Sequence, residues 1–162
     1  PTSLRRDRLL FVHGSPNSQH EYLLPDMDAF AALERVETAG ADILFCGHTH
    51  QPYVRELRDG SIRVRLQNAD HGNDQGEELT LPMRKIVNAG SVGEPRHGST
   101  NATYVIHNDA TDEVEIKEVA YDVGRTCQAI VEAGLPKVFA WRLSPGFEFA
   151  EQAEDASHVC ER

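Results

Sequence analysis

Two uninterrupted apolar runs, Leu9-Leu10-Phe11-Val12 and, after Asp42, Ile43-Leu44-Phe45-Cys46, each pass straight into histidine and glycine, as His13-Gly14-Ser15-Pro16 and Gly47-His48-Thr49-His50. A strand that alternates apolar and polar residues can face water on one side, whereas a strand apolar at every position needs cover on both. The two runs therefore read as buried neighbours in a sheet. Between them Met27, Phe30, Leu33 and Val36 recur at near-helical spacing, with Asp26 as the candidate N-cap and Gly40 as the C-terminal stop. Strand, helix, strand in that order predicts a parallel pair and an α/β fold. His13, His48 and His50 then fall at the carboxyl ends of strands, the edge at which open α/β sheets bind ligands.

Beyond Pro52 the pattern changes. Residues 53–57, the turn signal Asp59-Gly60, and Ile62, Val64 and Leu66 alternating with Arg63 and Arg65 predict an antiparallel hairpin. Residues 67–78 are polar and read as a surface loop, and Asp70-His71 and Asn73-Asp74 within it as solvated groups. Lys85-Ile86-Val87 is a short strand leading into the glycine-containing loop Asn88-Ala89-Gly90-Ser91-Val92-Gly93-Glu94-Pro95-Arg96. Residues 103–106 and 113–121 predict a second hairpin. Val123, Cys127, Ile130 and Val131 then mark a helix behind Asp122, closed by Gly134, and a further short helix runs through Trp141. Phe139 and Trp141 read as core. Residues 1–147 are expected to form the folded part and residues 148–162 a disordered acidic tail.

Charge and composition narrow the function. With 26 acidic and 16 basic residues the formal charge is −10, which disfavours non-specific binding to nucleic acid or to an anionic membrane. The longest apolar run is five residues, 29–33, too short for a membrane-spanning helix. Cys46, Cys127 and Cys160 are few, odd in number and far apart, which fits a reducing cytoplasm better than a disulfide framework. A length of 162 residues suggests one main core. Because Pro1 opens the chain and Arg5, Arg6 and Arg8 lead directly into a buried strand, it reads as cut from a longer protein.

The histidines carry the chemistry. His48 and His50 are two apart in an extended or loop segment, so their rings can diverge toward two neighbouring metals, and imidazole suits Zn, Mn, Fe or Ni. Such a pair can equally be solvated or bonded to backbone. Arg96 either meets a phosphate oxygen, for which guanidinium geometry is suited, or pairs with Glu94 or another surface carboxylate. His20, His97, His107 and His158 lack partners at ligand spacing and read as surface histidines.

Taken in order, the segments His13-Gly14-Ser15-Pro16, Gly47-His48-Thr49-His50-Gln51-Pro52 and Asn88 to Arg96 resemble the C-terminal half of the calcineurin-like metallophosphoesterases, and residues 121–136 resemble the closing helix of their small bacterial members. That resemblance implies a partial four-layer α/β/β/α sandwich with a mixed sheet, two divalent metal ions, and hydrolysis of phosphomonoesters or phosphodiesters. It implies that His13 and His48 bind one metal and His50 the other. The family's Asp-x-His, Gly-Asp and Gly-Asn-His-Asp/Glu motifs, which carry the bridging aspartate and the leaving-group histidine, should precede His13, yet only twelve residues do. The chain is therefore expected to supply part of a site and no catalytic residue of its own, to be nearly inactive alone, and to expose apolar surface that a complementing N-terminal segment would cover. Rival readings are a non-catalytic metal-binding or interaction module, and a mononuclear zinc hydrolase built on His13, His48 and His50.

Overall fold

The computed structural model describes residues 2–57 and 83–143. It is a mixed α/β fold. Five strands, β1 (Ser3–Arg6), β2 (Leu9–Val12), β3 (Ile43–Cys46), β4 (Tyr53–Leu57) and β5 (Arg84–Asn88), form a sheet in the order β1-β2-β3-β5-β4. As the sequence predicts, β2 and β3 pair in parallel, with Leu9, Leu10 and Phe11 opposite Ile43, Leu44 and Phe45. The facing Phe11 and Phe45 rings stack at 4.7 Å between centroids. Leu9, Leu10, all of β3, and Ile86 and Val87 of β5 are buried, which accounts for the lack of polar alternation.

Helix α1 (Ala29–Thr38) contributes Ala32, Leu33 and Val36 to this core. Its N-cap is Asp28 and not Asp26: Asp28 Oδ1 accepts from the Phe30 and Ala31 amides at 3.0 and 3.1 Å. The helix thus starts later than its apolar spacing suggests. Phe30 falls outside the inward stripe and is 81% exposed. Gly40, at φ +60°, ends the helix as expected.

Strand β1 has no counterpart in the sequence reading. All four of its residues are exposed, and it pairs antiparallel with β2 from Ser3 opposite Val12 to Arg6 opposite Leu9. Its arginines suit an edge, where charge discourages further pairing. The Arg5 guanidinium also donates to the carbonyls of Gly40, at 3.0 Å, and Ala39, placing a cation at the carboxyl end of α1.

Contacts divide the described residues into two compact units, residues 2–46 with 54–57 and 83–87, and residues 47–53 with 88–143. In the second unit β6 (Ala102–His107) and β7 (Val114–Val119) form the expected antiparallel hairpin. Asp122 caps α2 (Val123–Glu132) by accepting from the Arg125 amide at 2.9 Å, and α3 (Lys137–Trp141) follows. No residue of α2 is fully buried; Val123, Cys127 and Val131 line a cavity of about 630 Å³ together with Ala140 and Trp141.

Several side chains depart from expectation. Phe139 is 44% exposed rather than core, and His97 and His107 are largely enclosed, with side chains only 16% and 10% exposed. His107 lies between Asp109 and Asp112, each 3.2 Å from one ring nitrogen, so local polar contacts hold it in. The partner strand of the first predicted hairpin, the polar loop 67–78 and the tail 148–162 lie outside the described residues.

The core assigns magnitudes to substitutions. Leu44→Ala should destabilise the chain by about 2–5 kcal/mol. Asp28→Ala should cost about 1 kcal/mol, and Asp26→Ala less than about 0.5 kcal/mol. Urea midpoints of the three variants check this order; equal losses at the two aspartates would contradict the capping assignment.

Candidate functional site

The loop after β3 holds two histidines in an unusual backbone conformation. His48 and His50 have φ of +64° and +59°, the left-handed region that residues bearing a Cβ seldom occupy. Holding each there costs on the order of 1 kcal/mol or more, so the surroundings must enforce it. Between them Thr49 is buried. Its Oγ1 accepts from the Gln51 amide at 3.1 Å and from Asn88 Nδ2 at 2.9 Å. Asn88 is fully buried, and its Nδ2 also donates to the Gly47 carbonyl at 2.8 Å while its Oδ1 accepts from the Gly90 amide at 3.0 Å. One amide side chain thereby ties the histidine loop to the glycine-containing loop and shapes the turn of the latter.

A second set of bonds completes the tie. Thr103 Oγ1 donates to the Ala89 carbonyl at 2.8 Å and accepts from the Ser91 amide at 2.9 Å. Gly90, at φ +76°, lies so close that an added Cβ would collide with Thr103 Oγ1 and come within 3.1 Å of Pro52 Cβ. Ser91 Oγ accepts from the Gly93 and Glu94 amides at 3.2 and 2.9 Å.

These bonds deliver the Glu94 carbonyl to 2.6 Å from His50 Nδ1. A carbonyl only accepts, so Nδ1 carries the proton and a neutral ring presents its lone pair at Nε2. Histidine ligands to metals are commonly held by such a bond on the other nitrogen. The Arg96 amide donates back to the His50 carbonyl at 3.1 Å. The Arg96 guanidinium, 44% exposed, stands 3.5 Å from Glu94 Oε1, and Arg142 stands 3.6 Å from the same oxygen. Arg96 is thus paired with Glu94, one of the two readings its position allows.

His13 belongs to the other unit, exposed at the end of β2. The turn behind it is tight: Ser15 Oγ accepts from the Asn17 and Ser18 amides at 3.1 and 3.0 Å, and a Cβ on Gly14 would come within 2.6 Å of the Gln19 carbonyl oxygen. The Ser15 hydroxyl donates to Glu21, which in turn accepts from Arg35 Nε of α1 at 3.1 Å. The Ser15 hydroxyl, more than Arg35, holds the Glu21 carboxyl below its ordinary 4.5 against the opposing effect of burial.

Within this arrangement the donor chemistry of His50 fits a divalent metal. Among the described residues, no group of three or more His, Cys, Asp or Glu side chains could hold a metal by itself. Sequence reading found the histidines and Arg96 but not Ser15, Glu21, Thr49, Asn88 or Thr103. Asn88, two residues before Gly90, carries the strongest local signal, since asparagine is suited to bond its own turn, and Ser15 and Thr49 carry weaker ones of the same kind.

Residues 1–112 match the model of the calcineurin-like phosphoesterase superfamily domain. An uncharacterised protein of Methanocaldococcus jannaschii is 30% identical over 150 residues, covering 89% of this chain and 54% of that protein. A UDP-2,3-diacylglucosamine hydrolase of Shewanella halifaxensis is 29% identical over 89 residues, 53% of this chain and 36% of its own length. Among solved structures, a metallophosphoesterase from Sphaerobacter thermophilus superposes with a TM-score of 0.65 at 29% identity, covering 88% of this chain and 58% of that one. The chain thus spans about half the length of relatives it matches.

Two outcomes test the local geometry. Gly90→Ala should destabilise the chain by about 1–3 kcal/mol through its positive φ and the collision with Thr103, read from thermal unfolding. Because Glu21 has a lowered pKa, its contribution to stability is complete above pH 4.5 and is lost as pH falls through the folded-state value. Ser15→Ala should move the Glu21 carboxyl titration upward by carbon-13 NMR and flatten that acid-limb loss; an unmoved titration would remove Ser15 as its cause.

Proposed function

The chain belongs to the calcineurin-like phosphoesterase superfamily, and from that premise we propose that it contributes one part of a metal-dependent site for hydrolysing phosphoric esters. The observation that supports this most directly is His50, whose Nδ1 is committed to the Glu94 carbonyl and whose Nε2 lone pair is thereby left for a ligand role. In this reading His13, His48 and His50 would each offer a ring nitrogen to a divalent ion, drawn from Mn, Zn, Fe or Ni. When bound, such ions supply Lewis acidity toward the phosphoryl oxygens and lower the pKa of a coordinated water.

The remaining roles belong to the chain's own residues. Thr49 and Asn88 hold the histidine loop against its preference for other backbone angles, and Arg96 meets a phosphate oxygen. The bridging carboxylate and the proton donor to the leaving group come from a complementing N-terminal segment. Two close divalent ions repel each other strongly without a shared anionic ligand, so this chain alone should bind metal weakly. A cytoplasmic setting accords with the few, widely spaced cysteines Cys46, Cys127 and Cys160. No helix among the described residues is long and apolar enough to cross a membrane.

The test is calorimetric titration of the chain with Mn²⁺, followed by assay on bis(p-nitrophenyl) phosphate and p-nitrophenyl phosphate, alone and with the N-terminal portion of the Sphaerobacter thermophilus relative supplied. Weak binding alone, turnover only on complementation, and at least about a tenfold loss of metal affinity in His50→Ala are expected. Equal turnover with and without the added segment, abolished in His50→Ala, would show that the site is complete in this chain. Metal affinity unchanged in the His13, His48 and His50 alanine variants would leave the interaction-module reading.

A further inference from the structure

Two guanidinium groups meet on one carboxylate oxygen beside the histidine loop: Arg96 Nη2 at 3.5 Å and Arg142 Nη1 at 3.6 Å from Glu94 Oε1. With side chains 44% and 50% exposed, ion pairs this long are weak and exchange readily with solvent and other anions. Among the described residues these two positive charges share one negative charge, although the chain as a whole carries −10. A local cationic pair in an acidic protein has a purpose only for a ligand that reaches it closely, because the wider field repels anions.

The pair is held in place from several directions. Arg96 is fixed through its amide to the His50 carbonyl, 3.1 Å away. The loop beyond it is pinned to β7 by Glu118, whose carboxylate accepts from Asn101 Nδ2 at 3.1 Å and Ser99 Oγ at 3.5 Å and lies 3.6 Å from His97 Nε2. Arg142 sits at the end of α3 with its guanidinium 5.8 Å over the Phe139 ring. Glu94 unites the two functions, since its main-chain oxygen orients His50 while its side chain gathers the two arginines.

We propose that Arg96 and Arg142 together anchor a dianionic terminal phosphoryl group, with Glu94 as the counter-ion that the phosphoryl oxygens displace. The source of that phosphoryl group rests on the phosphoester reading above. Guanidinium forks match phosphate oxygens in bidentate geometry, which a carboxylate shared at 3.5 Å does not achieve. A terminal phosphate carries close to two negative charges at neutral pH and a diester carries one. Once Glu94 is displaced from direct contact, two guanidiniums attract a dianion more strongly than a monoanion, which favours monoesters over diesters.

The experiment uses the full chain in chelator, free of metal, and follows the arginine Nε–Hε signals by NMR during titration with inorganic phosphate, phenyl phosphate and dimethyl phosphate. Phosphate and phenyl phosphate should shift the Arg96 and Arg142 signals together, with dimethyl phosphate about tenfold weaker. Arg142→Gln should weaken phosphate binding about tenfold while the backbone amide spectrum is retained, and Glu94→Gln should strengthen it. An unresponsive Arg142, equal affinity for dimethyl phosphate, or unchanged affinity in Arg142→Gln would overturn the proposal. Because the titration is metal-free, it reads the arginines independently of turnover: an arginine response with no turnover in the Mn²⁺-loaded, complemented assay above would sink the hydrolase reading alone, and turnover in that assay with no arginine response here would sink the anchoring pair alone.

Discussion

Loops that leave the ends of buried strands carry backbone N–H and C=O groups with no ladder to pair them, and leaving such groups unpaired costs about as much as lost hydrogen bonds. In this protein side chains meet that demand. Ser15 does so after β2, Thr49 and Asn88 after β3 and β5, and Ser91 and Thr103 along the glycine-containing loop. Each bond fixes a turn, and each turn fixes what it carries. The orientation of His50, the place of Arg96 and the conformation of Gly90 all follow from this accounting of backbone polar groups.

The two units meet the accounting differently. In the first, apolar burial dominates: Leu9, Leu10, Val36, Ile43, Leu44, Ile86 and Val87 form a continuous list of buried aliphatic side chains around a parallel pair. In the second, the buried residues include Thr49, Asn88 and Thr103, whose stabilisation comes from being fully bonded. A buried polar network of that kind specifies one arrangement more sharply than it adds free energy, since any partly bonded alternative strands a polar group.

This contrast explains what the sequence made legible. Apolar runs and helical spacing are local signals, so β2, β3, the parallel pairing, the β6–β7 hairpin, the Asp122 cap and the glycine stops could all be read directly. Strand β1 could not, because an exposed edge strand of serine, leucine and arginine has no burial pattern to betray it. The cap of α1 was misplaced by two residues because apolar spacing included Met27 and Phe30, which the helix does not bury. His97 and His107 were read as surface groups because their enclosure depends on Glu118, Asp109 and Asp112, whose approach is a product of the fold. In the candidate site, His13, His48, His50 and Arg96 were visible as a motif. Their supports were not, since the bonds from Asn88 to Gly47 and Thr49 cross 41 and 39 residues of sequence.

The left-handed backbone at His48 and His50 sets stability and chemistry against each other at the same two positions. Glycine or asparagine would sit there with less conformational cost, so by folding alone the loop favours residues that bring no imidazole. Selection for thermostability would therefore tend to erase this pair, and selection for ligand chemistry to keep it at the expense of the fold. A library scored separately for abundance and for metal content would separate the two pressures at residues 48 and 50, whereas at the buried Thr49 between them both scores would fall together.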